Sequence, residues 1–204
     1  LALLLALLRN IPNADASTRR GEWNRVISPS VSGKRLGIIG LGAVGQAIAK
    51  RASLGFDMPV SYHSRTPRKE LAYTWYDSPL RLAEAVDVLV IATPGGAATQ
   101  HLVDADVLKA LGAEGYLINI ARASVVDSAA LLEALEQGCI AGAALDVFDD
   151  EPNVPDALKA LGNTVLTPHV AGQSPEAARD TVTLVLRNLQ AFFAGEPVLT
   201  PVRG

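Results

Sequence analysis

Residues 35–45 read Arg-Leu-Gly-Ile-Ile-Gly-Leu-Gly-Ala-Val-Gly, a short apolar run that leads into the pattern Gly-X-Gly-X-X-Gly. We expect the run to form a β-strand and the residues after the second glycine to begin an α-helix. Gly40 would permit a tight turn, Gly42 would let the backbone approach a pyrophosphate, and Gly45 would allow close packing of helix on strand. The N-terminus of the helix adds free N–H groups and a positive dipole end. The pattern predicts dinucleotide binding by Gly40, Gly42, Ala43, Val44 and Gly45.

Apolar segments alternate with helical patterns along most of the chain. The run Val-Asp-Val-Leu-Val-Ile-Ala at 86–92 is nearly continuous, which suits a strand buried on both faces of a parallel sheet. Helical patterns at 127–137 and 175–193 would cover such faces. The sequence therefore predicts an α/β fold, a doubly wound parallel sheet of the Rossmann type with right-handed crossovers. The expected strands are 35–39, 58–62, 86–92, 116–120, 141–145 and 164–167.

The composition is that of a globular protein and narrows the classes of partner. The 204 residues are 49% hydrophobic, which is sufficient for a packed core. A net charge of -3 with scattered basic residues gives no electrostatic footprint for nucleic acid or for an anionic membrane. The single cysteine, Cys139, cannot form an internal disulfide, and no Cys/His cluster has metal-ligand spacing. We expect a cytoplasmic protein without a metal site.

The first ten residues, Leu-Ala-Leu-Leu-Leu-Ala-Leu-Leu-Arg-Asn, are strongly apolar. Eight apolar residues are too few to span a bilayer, and neither a charged region nor a cleavage site of a secretory signal flanks them. We predict a buried helix here. Because the chain begins at Leu1 within this pattern, we also expect an N-terminal segment to precede it.

The residues after the second expected strand bear on the choice between the two nicotinamide dinucleotides. An acidic residue at the end of this strand normally accepts the ribose 2′-hydroxyl of NAD. Here the strand is followed by Ser64, Arg65 and Thr66, which offer a guanidinium and hydroxyl groups where the 2′-phosphate of NADP would lie. Asp57 could substitute for the acid, but it precedes the strand, at the wrong end of the sheet. The sequence favours NADP(H) and leaves NAD(H) possible.

Three further motifs each lie at or just after an expected strand. They are Asn-Ile-Ala-Arg at 119–122, Leu-Asp-Val-Phe at 145–148 followed by Glu151, and Thr-Pro-His-Val-Ala-Gly at 167–172. Ligands of open α/β sheets bind at the carboxyl edge of the strands, so the motifs indicate one site. Their order and spacing resemble the signatures of the D-isomer-specific 2-hydroxyacid dehydrogenases over essentially the whole chain. The segments 64–66, 117–122, 146–155 and 196–202 resemble the branch of NADPH-dependent glyoxylate/hydroxypyruvate and hydroxyphenylpyruvate reductases.

The resemblance implies three catalytic residues. Arg122 would hold the substrate carboxylate and polarise its carbonyl, His169 would give a proton to the carbonyl oxygen, and Glu151 would pair with His169. These residue types fit the chemistry, because a planar guanidinium can bind carboxylate and carbonyl oxygens together. Hydride transfer leaves an alkoxide that an imidazolium can protonate, and a neighbouring carboxylate favours the charged imidazole.

Each of these residues also has a plain structural interpretation. His169 could be a packed or surface histidine, and Glu151 could be a loop charge. Arg122 could cap a helix or pair with Asp127, which is itself an expected helix N-cap. All of these interpretations would have to hold together, so the combined pattern favours catalysis.

The same resemblance places further residues beside the nicotinamide and its ribose. One departure from the family is Ala123, where glycine is more frequent; alanine disfavours a positive φ. The implied cofactor-binding residues are Thr93, Pro94, Ile120, Ala121, Arg122, Asp146, His169, Ala171 and Gly172.

The resemblance also implies an organisation and a function. Residues 1–30 would be an interdomain helix and linker, 31–172 the Rossmann domain, and 173–204 a helix and a tail that returns to an absent substrate domain. We therefore expect this chain alone to bind dinucleotide without appreciable turnover. The implied function is NADPH-dependent reduction of a small 2-keto acid, of the glyoxylate/hydroxypyruvate type, to the D-2-hydroxy acid. A homodimer is implied, and the apolar first helix would suit its interface.

Two alternatives stay open on the sequence. One is an NAD-dependent dehydrogenase of another D-2-hydroxy acid, such as phosphoglycerate or lactate. The other is a dinucleotide-sensing binding protein similar to the transcriptional corepressors that share this fold and triad.

Overall fold

The computed structural model describes residues 1–201 in two compact units, Leu1–Pro168 and one that begins at His169. Within the described residues, every strand belongs to the first unit, and the second unit contains one long helix. In chain order the elements are α1 Ala2–Leu8, α2 Ile11–Arg19, β1 Leu36–Ile39, α3 Ala43–Phe56, β2 Val60–His63, β3 Thr74–Tyr76, α4 Pro79–Glu84, β4 Val88–Ile91, a 3-10 turn Ala97–Thr99, α5 Ala105–Leu111, β5 Tyr116–Asn119, a 3-10 turn Ala123–Val125, α6 Ser128–Glu136, β6 Gly142–Leu145, α7 Asp156–Ala160, β7 Thr164–Leu166 and α8 Pro175–Phe193.

The strands of the first unit form one parallel sheet in the order β3-β2-β1-β4-β5-β6-β7. Chain order runs outward from β1 on one side and from β4 on the other, which is the topology of a doubly wound sheet. The predicted fold class is confirmed. The junction of β1 and β4, where the direction of winding changes, is the place where such sheets bind ligands at their carboxyl edge.

All six expected strands are present, with ends that differ by a few residues. The second expected strand, 58–62, is displaced to Val60–His63, because Asp57 ends α3 in the left-handed conformation and His63 pairs with Ile39 in β1. The seventh strand, β3, was not predicted. It has three residues, lies at the edge of the sheet and is mostly exposed, so it lacks the apolar run by which buried strands are found in a sequence.

Apolar side chains cover both faces of the sheet. In β4, Val88 and Val90 point to one core cluster while Leu89 and Ile91 point to the other, as the alternation of a strand requires. Burial of each such side chain contributes roughly 1.5 to 3 kcal/mol. Helices α4, α5 and α6 supply the cluster on one face, and α1 and α3 supply the cluster on the other. The central strands and the loops that leave them are thereby held on both sides.

Helix α1 is buried, as predicted, with four leucines in the core and contacts to β6 and β7. These four leucines face the sheet, and the role of this helix in a dimer interface stays a prediction. Within residues 1–201, no helix has both the length and the apolar character needed to cross a membrane.

The second unit is organised around α8. Ser174 caps the helix by accepting a hydrogen bond from the backbone N–H of Ala177 at 3.0 Å. The side-chain amide of Asn188 donates to the hydroxyl of Thr200 at 3.0 Å and accepts from the backbone N–H of Thr200 at 3.1 Å. These two bonds attach the segment that follows α8 to the helix. The end of the predicted tail, 202–204, lies outside the described residues.

An ion pair between Arg35 and Asp87 joins the amino ends of β1 and β4. Asp87 accepts hydrogen bonds from the backbone N–H of Arg35 at 2.7 Å and from its guanidinium at 2.6 Å. These bonds, and above all the one from the guanidinium, hold the pKa of Asp87 below its usual range. Because the pKa is lower in the folded state, the pair contributes stability above the ordinary pKa of an aspartate, near 4. The contribution is lost as the pH falls through the lowered value.

We therefore expect Asp87→Asn to lower the free energy of unfolding by about 1 kcal/mol at neutral pH, a value reduced for partial exposure. The difference from the unmutated chain should shrink in acid, where Asp87 is protonated. Urea unfolding at neutral pH and in acid measures this difference in the free energy of unfolding. Asp77→Asn, which removes the same charge from an exposed position, should have little effect. A difference that does not depend on pH would contradict the role of this carboxylate.

Candidate dinucleotide site

The main candidate site is a cleft of about 460 Å³ in the first unit, at the carboxyl ends of β1, β2 and β4. The backbone N–H of Gly40 donates to the carbonyl oxygen of His63, and that of Ala92 donates to the carbonyl oxygen of Ile39. These bonds align the carboxyl ends of the three strands. The cleft thus lies where the winding direction of the sheet changes. Of the residues expected to bind cofactor, it brings together Gly40, Gly42, Ser64, Arg65, Thr93 and Pro94.

The glycine turn has the geometry predicted at Gly40 and Gly45, and pyrophosphate binding at Gly42 stays a prediction. Gly40 has a φ of +94°, and a Cβ there would lie 2.7 Å from the Cα of Thr93. A Cβ at Gly45, in the first turn of α3, would overlap the carbonyl oxygen of Gly40. At Gly42, the N-cap of α3, a Cβ would meet nothing within 4 Å. This open space beside the N-terminus of a 14-residue helix fits a pyrophosphate.

The loop after β2 supplies the cationic side of the cleft. Ser64, Arg65 and Arg68 line it, whereas Thr66 does not. Asp57 lies at the opposite end of β2, as expected, because it is the C-cap of α3. Among residues 1–201, none of those that line the cleft carries a carboxylate.

The loop after β4 forms the facing wall. The hydroxyl of Thr99 donates to the carbonyl oxygen of Pro94 at 2.8 Å and closes the loop on itself. Gly95 and Gly96 line the cleft and were not among the predicted site residues, although a double glycine after Thr93-Pro94 was a signal for close approach of the backbone. A Cβ at Gly95 would lie 2.8 Å from Cγ of Arg122. Arg122 therefore borders the cleft through Gly95.

Asn119 builds the turn that carries Arg122. It is buried at the end of β5, with 2% of its surface exposed. Its side-chain amide donates to the carbonyl oxygen of Arg122 at 3.0 Å and accepts from the backbone N–H of Ala121 at 3.0 Å. Arg122 itself is exposed and donates to the carbonyl oxygen of Ala121 at 2.7 Å. Ala123 begins a 3-10 turn and has no positive φ, so the alanine found here in place of glycine is not strained.

Arg122 is the N-cap of the 3-10 turn Ala123–Val125, but its side chain makes no capping hydrogen bond, and among residues 1–201 no ion pair joins it to Asp127. Asp127 caps α6 by accepting hydrogen bonds from the backbone N–H groups of Ala129 and Ala130, both at 3.1 Å. Among residues 1–201, its carboxylate also lies near the imidazole of His101, with Nδ1 at 3.9 Å from Oδ2.

Two acidic residues follow β6. Asp146 is buried, with 2% of its surface exposed, and accepts a hydrogen bond from the hydroxyl of Thr167 at 2.6 Å. Glu151 is exposed and accepts from the backbone N–H of Phe148 at 3.0 Å, which closes the loop between them. Glu151 therefore has a structural contact in addition to the catalytic role predicted for it.

The remaining predicted residues fall into two groups. Ala43, Val44, Ile120 and Ala121 belong to the first unit but do not line the cleft. His169, Ala171 and Gly172 belong to the second unit. His169 has a φ of 53°, and its carbonyl oxygen accepts from the side chain of Gln173 at 3.1 Å. Joint action of Arg122, Glu151 and His169 stays a prediction.

The parallel sheet, the glycine turn and the cleft together define a Rossmann domain suited to a dinucleotide. Within residues 1–201, no group of three or more His, Cys, Asp and Glu side chains could hold a metal. The chain belongs to the D-isomer specific 2-hydroxyacid dehydrogenase family, whose NAD binding domain matches residues 1–171.

Relatives across this family match nearly the whole chain. The chain is 46% identical over 205 residues to glyoxylate/hydroxypyruvate reductase A HPR2 of Arabidopsis thaliana and 45% identical over 205 residues to hydroxyphenylpyruvate reductase of Plectranthus scutellarioides. Each comparison covers 99% of this chain and 65% of the relative. The chain thus spans about 65% of the length of these relatives.

A solved structure shows the same fold. The NADPH-dependent glyoxylate/hydroxypyruvate reductase of Sinorhizobium meliloti, in complex with NADP and malonate, superposes with a TM-score of 0.92 at 47% identity. The superposition covers 98% of this chain and 64% of that chain.

Proposed function

We propose that this chain binds NADP(H), and that the protein containing it reduces a small 2-keto acid to a D-2-hydroxy acid. Glyoxylate and hydroxypyruvate are the substrates that we favour. The observation that carries the proposal is the cationic loop after β2, where Ser64 and Arg65 line the cleft. Relatives named as glyoxylate/hydroxypyruvate reductases, one of them NADPH-dependent, support the same assignment.

The cofactor preference follows from charge. The guanidinium of Arg65 matches the geometry and charge of a 2′-phosphate, while the described residues that line the cleft include no carboxylate to accept a ribose 2′-hydroxyl. Asp57 lies at the far end of the strand. NADP(H) is therefore the preferred cofactor, and NAD(H) is a possible second one.

The chemistry assigns one role to each of three side chains. When bound, the reduced nicotinamide supplies a hydride. Arg122, at the border of the cleft, holds the carboxylate of the 2-keto acid and polarises the adjacent carbonyl. His169 gives its proton to the carbonyl oxygen, and Glu151 favours the protonated imidazole. The residues that border the nicotinamide and its ribose are Asp146, Thr93, Pro94, Ile120, Ala121, Ala171 and Gly172.

The organisation of the whole protein is part of the proposal. Residues 1–30 link domains, 31–172 form the dinucleotide-binding domain, and 173–204 form a C-terminal helix and tail. The protein is cytoplasmic and forms a homodimer, for which the exposed side chains of Trp23 and Ile27 offer apolar contacts. Sedimentation equilibrium of the unmutated chain and of a Trp23→Ser variant tests the dimer.

Replacement of Arg65 by alanine tests the cofactor assignment. We expect a tenfold to hundredfold loss of NADPH affinity, roughly the 1.5 to 3 kcal/mol of a charged hydrogen bond, and little change for NADH. Calorimetric titration of both dinucleotides measures the two effects. Lys69→Ala removes the same charge four residues away, outside the cleft, and should leave both affinities unchanged. An equal loss for NADPH and NADH would contradict a contact to the 2′-phosphate.

A further inference from the structure

A buried hydroxyl lies directly beneath the cationic loop. Tyr62, in β2, has only 1% of its surface exposed, and its ring packs in the core beside the sheet. Its hydroxyl accepts a hydrogen bond from the backbone N–H of Arg68 at 2.7 Å and donates to the carbonyl oxygen of the same residue at 3.4 Å. One side chain thus satisfies both backbone groups of a residue six positions further along the chain.

Two more hydrogen bonds hold the first part of this loop. The indole N–H of Trp75, in β3, donates to the carbonyl oxygen of Ser64 at 3.1 Å. The hydroxyl of Ser64 in turn donates to the carbonyl oxygen of Thr66 at 2.7 Å. The backbone is therefore held at Ser64 from the neighbouring strand and at Arg68 from the core, and Arg65, which lies between them in sequence, lines the cleft.

We propose that Tyr62 is a positioning residue that strengthens the preference for NADPH over NADH. It does not line the cleft, and it acts by fixing the backbone from which Arg65 and Arg68 reach the 2′-phosphate. A long guanidinium side chain loses less conformational entropy on binding when its backbone is already ordered. This inference rests on the proposed function, because it requires that the loop bind a 2′-phosphate.

The affinity for NADH should depend little on the hydrogen bonds between the hydroxyl of Tyr62 and the backbone of Arg68, which we call the clamp. The pyrophosphate common to both dinucleotides is assigned to the glycine turn after β1, which makes no hydrogen bond to the hydroxyl of Tyr62. Loosening the loop should therefore reduce affinity only for the dinucleotide that carries the extra phosphate. A purely structural role of the hydroxyl would instead weaken both dinucleotides together, or lower stability alone.

The test is Tyr62→Phe in the 204-residue chain, titrated calorimetrically with NADPH and with NADH. We expect the Kd for NADPH to rise about fivefold, as the loss of one hydrogen-bonding group implies, and the Kd for NADH to change less than about twofold. Trp75→Phe removes the indole donor at the other end of the loop and should act in the same direction. Tyr116→Phe, at the amino end of β5 and outside the cleft, is the matched control and should change neither value.

Equal weakening of both dinucleotides by Tyr62→Phe, or unchanged binding of both, overturns the inference. The titrations also separate it from the proposed function. If Arg65→Ala is selective for NADPH while Tyr62→Phe is not, only the clamp is wrong. If the unmutated chain prefers NADH, the cofactor assignment fails and the clamp fails with it.

Discussion

Replacing His169 with asparagine will lower the rate of 2-keto acid reduction by roughly a hundredfold to ten-thousandfold, the usual contribution of a positioned acid, and leave NADPH affinity nearly unchanged. The imidazole is assigned to proton donation, which occurs in the transition state, so its loss affects kcat more than binding. Asparagine is preferable to alanine here because His169 has a φ of 53°, and asparagine tolerates the left-handed region.

His101 provides a matched control for this substitution. It has a φ of 48°, it is exposed, and it lies outside the three motifs. His101→Asn therefore makes the same chemical change in the same backbone conformation and should retain full activity. Rates are to be measured with glyoxylate and NADPH on the complete natural protein. Similar rates for the His169 and His101 variants would remove His169 from the mechanism.

Replacing Gly42 with alanine will leave the stability of the fold unchanged and weaken both NADPH and NADH by about tenfold to a hundredfold. The new methyl group meets no protein atom within 4 Å, and φ at this position is −73°, so the unbound chain tolerates it. The methyl group occupies the space assigned to the pyrophosphate, and overpacking of this kind costs roughly 1 to 3 kcal/mol. Thermal unfolding and calorimetric titration measure the two effects.

Gly55→Ala makes the same change near the other end of α3. Gly55 is exposed, and a Cβ there also meets nothing within 4 Å. This variant should bind both dinucleotides as the unmutated chain does. If the Gly42 and Gly55 variants bind equally well, the pyrophosphate does not lie against the glycine turn.

The parts of the fold that follow from local sterics were predictable from the sequence. The conformation of the glycine turn was predicted correctly, because only glycine fits the positive φ at position 40 and the close packing at position 45. The central strands were found because parallel strands buried on both faces need continuous apolar runs. The three residues of β3, two of them exposed, carry no such signal, and their position depends on pairing with β2.

The supporting contacts of the site could not be predicted, because they join residues through the fold. Gly95 and Arg122 belong to different loops, and only the pairing of β4 with β5 brings them together. The sequence placed Asn119 in a motif but did not predict that its side-chain amide holds the turn that carries Arg122. Helix α1 was predicted correctly as buried, but its apolar character did not reveal which surface it covers; it packs on the sheet.

The cofactor assignment is tested most directly by a calorimetric titration of the unmutated 204-residue chain with NADPH and with NADH under identical salt conditions. We expect both dinucleotides to bind at the cleft and NADPH to bind about tenfold to a hundredfold more tightly, through the loop that carries Ser64 and Arg65. Tighter binding of NADH, or no binding of either dinucleotide by the folded chain, would contradict the assignment.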